Sequence, residues 1–372
     1  MIENLQELQE LMSKAADAQR DAWMAGEGRF NVLIAGNTGA GKSTLVNAFF
    51  GTEDAKVDTG ASVTDRLEEH RVPGKPIVIY DTRGFETGAT EAVTICEKAI
   101  ISLRKREREE ERLHIAWLAV DQATGRFEKS HERFIAFLKS HKIPTVVVVT
   151  KSFNEAGSLE EKISIAVGPT VPVVNVLASD YRTRAGVIPA EGMDLLLKET
   201  LKLVPLGRRT AVAAAQVISW STKDDVAAKV IRKYALLSGG TALSPVPGTQ
   251  LVGLAVLQAK MMAELDAIAG AATSNAMHYA KLVALATART GGLKLFQLGV
   301  AQVLKFIPTI GTVAGTALGV GVATSVTEAL GRAYWVATKL SVTNGETVDK
   351  EEFSKIFERE KKVDSDSKDL SQ

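Results

Sequence analysis

A single cysteine, Cys96, stands among the 372 residues. No disulfide can therefore close within one chain, and the composition fits a reducing compartment. Excess charge of either sign is missing too. The 45 basic and 44 acidic residues leave a net charge of +1, so nothing in the bulk composition points to a nucleic-acid partner. None of the five histidines stands at metal-ligand spacing from the cysteine or from another histidine. The first twenty residues carry charges throughout and lack the apolar segment of a secretory signal, so the expected location is the cytoplasm.

Long hydrophobic runs are scarce. Only Tyr234–Ala259 and Phe306–Thr327 are long and uncharged, each enough for the ~20 residues of a membrane helix. Pro245, Pro247 and Gly248 split the first, and Pro308 and Gly311 break the start of the second. What survives is rich in Gly, Ala, Thr and Ser. The expectation is a water-soluble helical bundle, with peripheral membrane association through the Pro/Gly tips as the alternative.

Against these absences stands one complete motif. Gly36, Asn37, Thr38, Gly39, Ala40, Gly41, Lys42 and Ser43 fill every fixed position of G-x-x-x-x-G-K-[ST]. The apolar run Phe30–Ala35 precedes it, as a buried parallel strand should. Thr44–Phe50 follows with the apolar face of a helix. Strand, glycine loop and helix N-terminus make an anion site: backbone N–H groups close around a phosphate and the helix end adds partial positive charge. Lys42 would reach the outer phosphates, and the Ser43 hydroxyl would bind magnesium.

The rest of the first half is punctuated by strands. Thr52–Thr64 is polar and glycine-containing and reads as a mobile loop. Leu67–Val72 is a weak strand. Ile77–Tyr80 is a short buried strand running into Asp81, Thr82, Arg83 and Gly84. A carboxylate at a strand end with a glycine three residues on suits a nucleotide switch: Asp81 for the metal, Gly84 for the terminal phosphate. Glu91–Arg112 reads as one helix with a solvated charged face. His114–Val120, Thr145–Val149 and Val171–Leu177 read as further strands, alternating with helices at Ser130–His141 and Gly192–Val204. Alternation implies an α/β fold with a mostly parallel sheet and ligands at the strand C-termini. Gly36–Ser43, Asp81, Thr150, Lys151 and Ser179 all fall there.

In this order the phosphate loop, Thr64, the Asp81–Gly84 segment, Thr150-Lys151 and Ala178-Ser179 resemble the GTPase domain of the translation-factor-related class. The loop spelling is closer to septin-type and dynamin-like members than to Era-type ones. The resemblance implies a three-layer P-loop GTPase fold, GTP and GDP as ligands, and magnesium held by Ser43, Thr64 and Asp81. It implies catalytic roles for Lys42, Thr64 and Gly84, with Thr44 joining the nucleotide contacts and Ala178-Ser179 approaching the guanine. Two positions depart from the pattern. The base motif [NT]-K-x-D reads Thr150, Lys151, Ser152, Phe153, without its aspartate; Asn154 and Asp180 are the nearby substitutes. Phe85 stands where related switches orient water with glutamine, which implies slow turnover and a nucleotide-dependent homodimer or other partner to complete the site. The rival readings are a dynamin-like membrane-associated GTPase, a nucleotide-binding scaffold with negligible hydrolysis, and an ATPase.

The second half is similar to the all-helical, YcjF-type domain of unknown function that follows GTPase modules in bacteria. The similarity rests on Ala213–Lys223, Leu243–Gly248, Leu257–Met262, Pro308–Thr312 and Ala329–Tyr334. Pro245–Thr249 and Pro308–Thr312 repeat P-x-x-G-T between Ala-rich helical patterns, so each unit reads as a helical hairpin. Met261, Met262, Met277, His278 and Tyr279 are core and rim residues of these helices. The expected division is an amphipathic helix at 1–25, a nucleotide domain at 26–205, helical hairpins at 206–340, and a charged, partly disordered tail at 341–372. Nucleotide binding would act as a conformational switch on the helices.

Overall fold

The computed structural model describes residues 5–23, 29–52, 58–64, 67–82, 90–106, 108–152, 158–241, 249–271, 316–345 and 348–369. The chain divides into two compact units, Met24–Trp220 and the combination of Met1–Trp23 with Ser221–Gln372.

The first unit is an α/β fold built on a mostly parallel sheet. Its seven-stranded sheet comprises β1 (Phe30–Gly36), β2 (Asp58–Thr64), β3 (Leu67–Arg71), β4 (Ile77–Thr82), β5 (Ile115–Asp121), β6 (Thr145–Thr150) and β7 (Val173–Val176). The spatial order is β2-β3-β4-β1-β5-β6-β7. Pairings from β4 through β7 are parallel, whereas β3 is antiparallel to both β4 and β2. Helix α1 (Leu5–Ala22) belongs to the other unit; the helices of this one are α2 (Lys42–Phe50), α3 (Thr90–Arg104), α4 (Lys129–Ser140), α5 (Ser158–Val167), α6 (Met193–Leu203) and α7 (Arg209–Ala215). An exposed hairpin, β8 (Tyr181–Thr183) with β9 (Gly186–Ile188), leaves the sheet after β7.

Successive side chains on a strand point to opposite faces, and here both faces are covered. Leu33, Tyr80, Leu118, Val120, Val147 and Val149 share one core with Ile100, Leu103, Phe134, Leu138 and Ile163 of α3, α4 and α5. Val32, Ile34, Ile79, Trp117, Val146 and Val148 share the other with Leu45, Phe49 and Phe50 of α2 and with residues of α6 and α7. A strand buried on both faces needs apolar residues at every position, which is why Val146–Val149 shows no alternation. Trp117 anchors the α2 side. Its ring lies 4.7 Å from Phe49 at 63° and 5.7 Å from Phe50 at 8°, and its indole N–H donates to Thr200 Oγ1 at 3.2 Å.

Three elements differ from expectation. Residues 58–64, expected as a loop, form edge strand β2, held by backbone pairing to β3. The helix expected to reach Arg112 ends at Arg104, and a short 3-10 turn follows at Glu109–Glu111. The unit also runs past residue 205 to Trp220, because Ala211–Ala215 are buried against the sheet. There the Val217 N–H donates to Phe49 O at 3.0 Å, and Lys75 Nζ donates to Phe50 O and Ala215 O, tying the end of α2 to the end of α7.

His114 braces the start of this sheet. Its Nδ1 accepts from the Asn31 N–H at 2.9 Å. Burial first, then the positive charges of Arg208 and Arg29, push its pKa from 6.5 down to about 4, against an opposing pull from the Glu109 carbonyl. The unfolded chain therefore takes up a proton that the folded chain refuses. The His114 contribution is full above pH 6.5 and is lost as pH falls toward 4, a loss on the order of 3 kcal/mol. Denaturant titrations of wild type and His114→Gln between pH 7 and 4.5 should show the steeper decline in wild type. Parallel curves would refute the assignment.

The second unit is helical: α1, α8 (Trp220–Thr241), α9 (Thr249–Ala269), α10 (Thr316–Asn344) and α11 (Lys350–Asp369). Met12 and Ala16 of α1 pack on Ala259 and Ala263 of α9. Lys223 Nζ donates to Ile268 O at 2.7 Å and Ala269 O at 3.3 Å, satisfying carbonyls at the end of α9. Tyr334 donates to Asp266 at 2.7 Å, and Trp335 and Lys339 both donate to Asp224. In the charged tail α11 buries Phe353 and Ile356 and runs to Asp369. The Pro/Gly tips at 245–248 and 308–311 and residues Met277, His278 and Tyr279 lie outside the described residues. Among the described residues no helix is long and apolar enough to cross a membrane.

Candidate functional site

The phosphate loop leaves β1 at the C-terminal edge of the sheet, between β4 and β5. Gly41 caps α2 with φ 80°, a left-handed conformation that a side chain disfavours. The first N–H groups of α2 are thereby left without intrahelical partners at the loop. Lys42 lies back along the loop and donates to Gly36 O at 3.1 Å and Asn37 O at 3.2 Å. Burial lowers its pKa, opposed by the charge of Asp81. Ser43 and Thr44, in the first turn of α2, are exposed.

Asp81 lies next to Ile34 of β1 in the parallel register and next to Glu68 on its other side. Burial raises its pKa, with Lys42 and His70 pulling it down and Glu68 adding to the rise. Among the described residues its Oδ1 is buried with no hydrogen-bond partner. A buried carboxylate oxygen left open is costly unless something fills it. The chemistry fits a hard divalent cation, which takes one or two carboxylates with hydroxyl, water and phosphate oxygens. Among the described residues no cluster of three or more His, Cys, Asp or Glu side chains could cage a metal, so such an ion would rely on Asp81, Ser43 and the ligand's own phosphates.

The structure brings Thr150 and Lys151 onto the same loop. Thr150 Oγ1 donates to Ala40 O at 2.7 Å and lies 3.3 Å from Val120 O. Lys151 Nζ donates to Gly39 O at 2.7 Å. The Ser152 N–H bonds Val176 O at 3.2 Å, so the base segment is tied to β7, two residues before the half-buried Ala178 and exposed Ser179. Asp180 accepts from the Ala190 N–H at 2.8 Å and so braces the base of the hairpin.

The Thr64 backbone ends β2, paired with Leu67, and β3 and β4 lie between it and β1. Gly84, Phe85, Phe153 and Asn154 lie outside the described residues.

Two features escaped the sequence reading. Asp121 ends β5 directly beside Thr150, and its Oδ2 pairs with Lys151 Nζ at 2.7 Å. The rule that singled out Asp81, a carboxylate at a strand C-terminus, would have found it. A pocket beside the loop is lined by Asn37, Thr38, Asp121, Arg126 and His131, among others. His131 Nδ1 accepts from the Glu128 N–H at 3.0 Å, and burial lowers its pKa. Nothing in the sequence spacing marks Arg126 or His131.

Residues 31–151 match the family described as 50S ribosome-binding GTPase. The tRNA modification GTPase MnmE of Histophilus somni (strain 129Pt) is 33% identical over 169 residues, covering 43% of this chain and 36% of that protein. The GTPase Der of Rhodopseudomonas palustris (strain HaA2) is 31% identical over 148 residues, covering 39% of this chain and 30% of that protein. The chain thus spans about a third of the length of the curated relatives it matches. A solved structure of an Aquifex aeolicus Era variant bound to GDP and aluminium fluoride is 21% identical, covers 56% of this chain and 67% of its own, and has a TM-score of 0.33.

Proposed function

We propose that the unit built on the phosphate loop binds GTP and hydrolyses it to GDP and phosphate. The observation that carries this reading is the open, buried Asp81 oxygen at the same sheet edge as the complete glycine loop and Lys42. Gly36–Thr44 would bind the phosphates, and Lys42 would neutralise their outer charge. Magnesium, held by Ser43 and Asp81 and by Thr64 once the β2 segment reaches the site, would supply charge stabilisation on the phosphate oxygens. Gly84 would sense the terminal phosphate. Thr150, Lys151, Ala178 and Ser179 would flank the base. The printed names of the relatives, GTPases in each case, support the guanine nucleotide over adenine. The output would be a nucleotide-dependent switch acting on the helical segments, including the YcjF-like region of residues 206–340. Phe85 implies slow turnover that rises as a second chain or another partner completes the site.

Titration of the purified chain with fluorescently labelled GTP, GDP and ATP, with and without magnesium, tests the core of this reading. GTP and GDP should bind, ATP more weakly, and magnesium should tighten GTP. Equal affinity for all three nucleotides would remove the guanine assignment, and no binding of any would remove the site.

A further inference from the structure

We infer that Asp121 is the positioning residue of the nucleoside end of the site, acting by fixing the ammonium of Lys151 across the phosphate loop. The inference rests on the nucleotide-binding reading above and extends it to a residue that the base motif does not contain.

The geometry has three parts. Lys151 has φ 55°, a left-handed conformation uncommon for a residue with a side chain. This turns the chain just past the end of β6 and sends the lysine back over the loop. Its Nζ then meets two oxygens of different kinds at 2.7 Å each, the neutral carbonyl of Gly39 and the carboxylate of Asp121. Asp121 is itself held: its Oδ1 accepts from the Ala123 N–H at 2.8 Å, capping the 3-10 turn Gln122–Thr124. With one oxygen committed to the cap, the other faces Lys151. The Asp121 side chain is 12% exposed and the Lys151 side chain 46%, so the anchor is fixed and the anchored group reaches into solvent.

Stability does not explain such a pair. Ion pairs with an exposed member contribute little to folding. Location does. A lysine carries four rotatable bonds, and holding it still costs side-chain entropy. A carbonyl alone is a weak restraint. The added charge-assisted bond to Asp121 restrains the stem in advance of ligand, and a contact already ordered costs less on binding. The missing aspartate at Phe153 makes this restraint matter more, because a purine nucleotide here has one fewer polar partner. Lys151 must supply its share of the nucleoside contact through a stem and charge that stay in place.

Asp121→Asn separates the two jobs of the carboxylate. The amide oxygen still caps Ala123, while the ion pair is gone. Labelled GTP is titrated against wild type, Asp121→Asn, Lys151→Ala and the double variant. Asp121→Asn is expected to weaken binding about fivefold, the scale of ordering one flexible side chain on binding. The double variant should bind no more weakly than Lys151→Ala, since a positioning residue has nothing left to position. The Asp121→Asn deficit should also shrink at high salt, which a change confined to packing would not do. Asp121→Ser, whose hydroxyl also caps a turn, carries the same expectation should the asparagine variant fail to fold. Losses that add in the double variant, or an unchanged Asp121→Asn affinity beside normal wild-type binding, would overturn the positioning role alone. Wild-type protein that binds no labelled nucleotide would overturn the nucleotide reading and this inference together.

Discussion

Lys42→Ala is expected to lower GTP affinity at least tenfold while leaving the melting temperature close to that of wild type. The two halves of this expectation have different origins. A lysine at this place meets the ligand through charge-assisted contacts of roughly 1.5–3 kcal/mol, and every ~1.4 kcal/mol is a factor of ten in affinity. Within the protein alone the same ammonium is held by two long bonds, to Gly36 O and Asn37 O. It is also disfavoured by burial, which is the main cause of its lowered pKa. Removing it loses little and relieves a desolvation penalty. Fluorescence titration read beside a thermal melt checks both. Equal nucleotide affinity in wild type and variant would contradict the loop assignment, and a large drop in melting temperature would mean that Lys42 holds the loop together.

Gly36→Ala is expected to do the reverse and strike the fold first. Gly36 has φ 143°, and a Cβ placed there would lie 2.3 Å from the Ala119 carbonyl oxygen. That oxygen belongs to β5, the neighbouring strand, paired with β1 at this residue. Neither backbone can move aside without opening the middle of the sheet. A cost on the order of 3–5 kcal/mol follows from a clash of this kind, enough to leave much of the chain unfolded at ordinary temperatures. Gly39→Ala is the control. Its φ is 77°, but nothing among the described residues lies within 4 Å of the added Cβ, so the left-handed strain of about 1–2 kcal/mol is what remains. Circular dichroism melts of the two variants should differ widely. Similar melting temperatures would show that the β1–β5 contact yields, contrary to its central place in the sheet.

The sequence reading reached furthest where one physical demand governs the residue choice. Val146–Val149 had to be apolar throughout because both faces of β6 are covered. The loop from Gly36 to Ser43 had to carry its glycines because the backbone turns there at positive φ, at Gly36, Gly39 and Gly41. At the strand C-termini Thr150 meets the carbonyl of Ala40 and Lys151 that of Gly39. It fell short where context decides. Residues 58–64 are polar, and an edge strand with one neighbour is held by backbone pairing that leaves little trace in composition. Arg104–Arg112 has the charge pattern of a helix face, but the chain turns after Arg104 and brings Arg112 O to Asn31 Nδ2 at 2.8 Å. Asp121 declares itself only when β5 and β6 are laid side by side, because its partner is thirty positions away.

The aromatic cluster behind the phosphate-loop helix also has an optical consequence. Of the four tryptophans, Trp117 is the fully buried one, its ring against Phe49 and Phe50 and its N–H on Thr200. An indole so enclosed emits at short wavelength and is screened from aqueous quenchers. Its two aromatic neighbours both ride on α2, the helix that begins at Lys42. The chain thus carries its own chromophore on the back of the helix whose front end meets phosphate. A shift of that helix against the sheet alters the stacking around Trp117 and with it the emission of the native protein, without any attached dye.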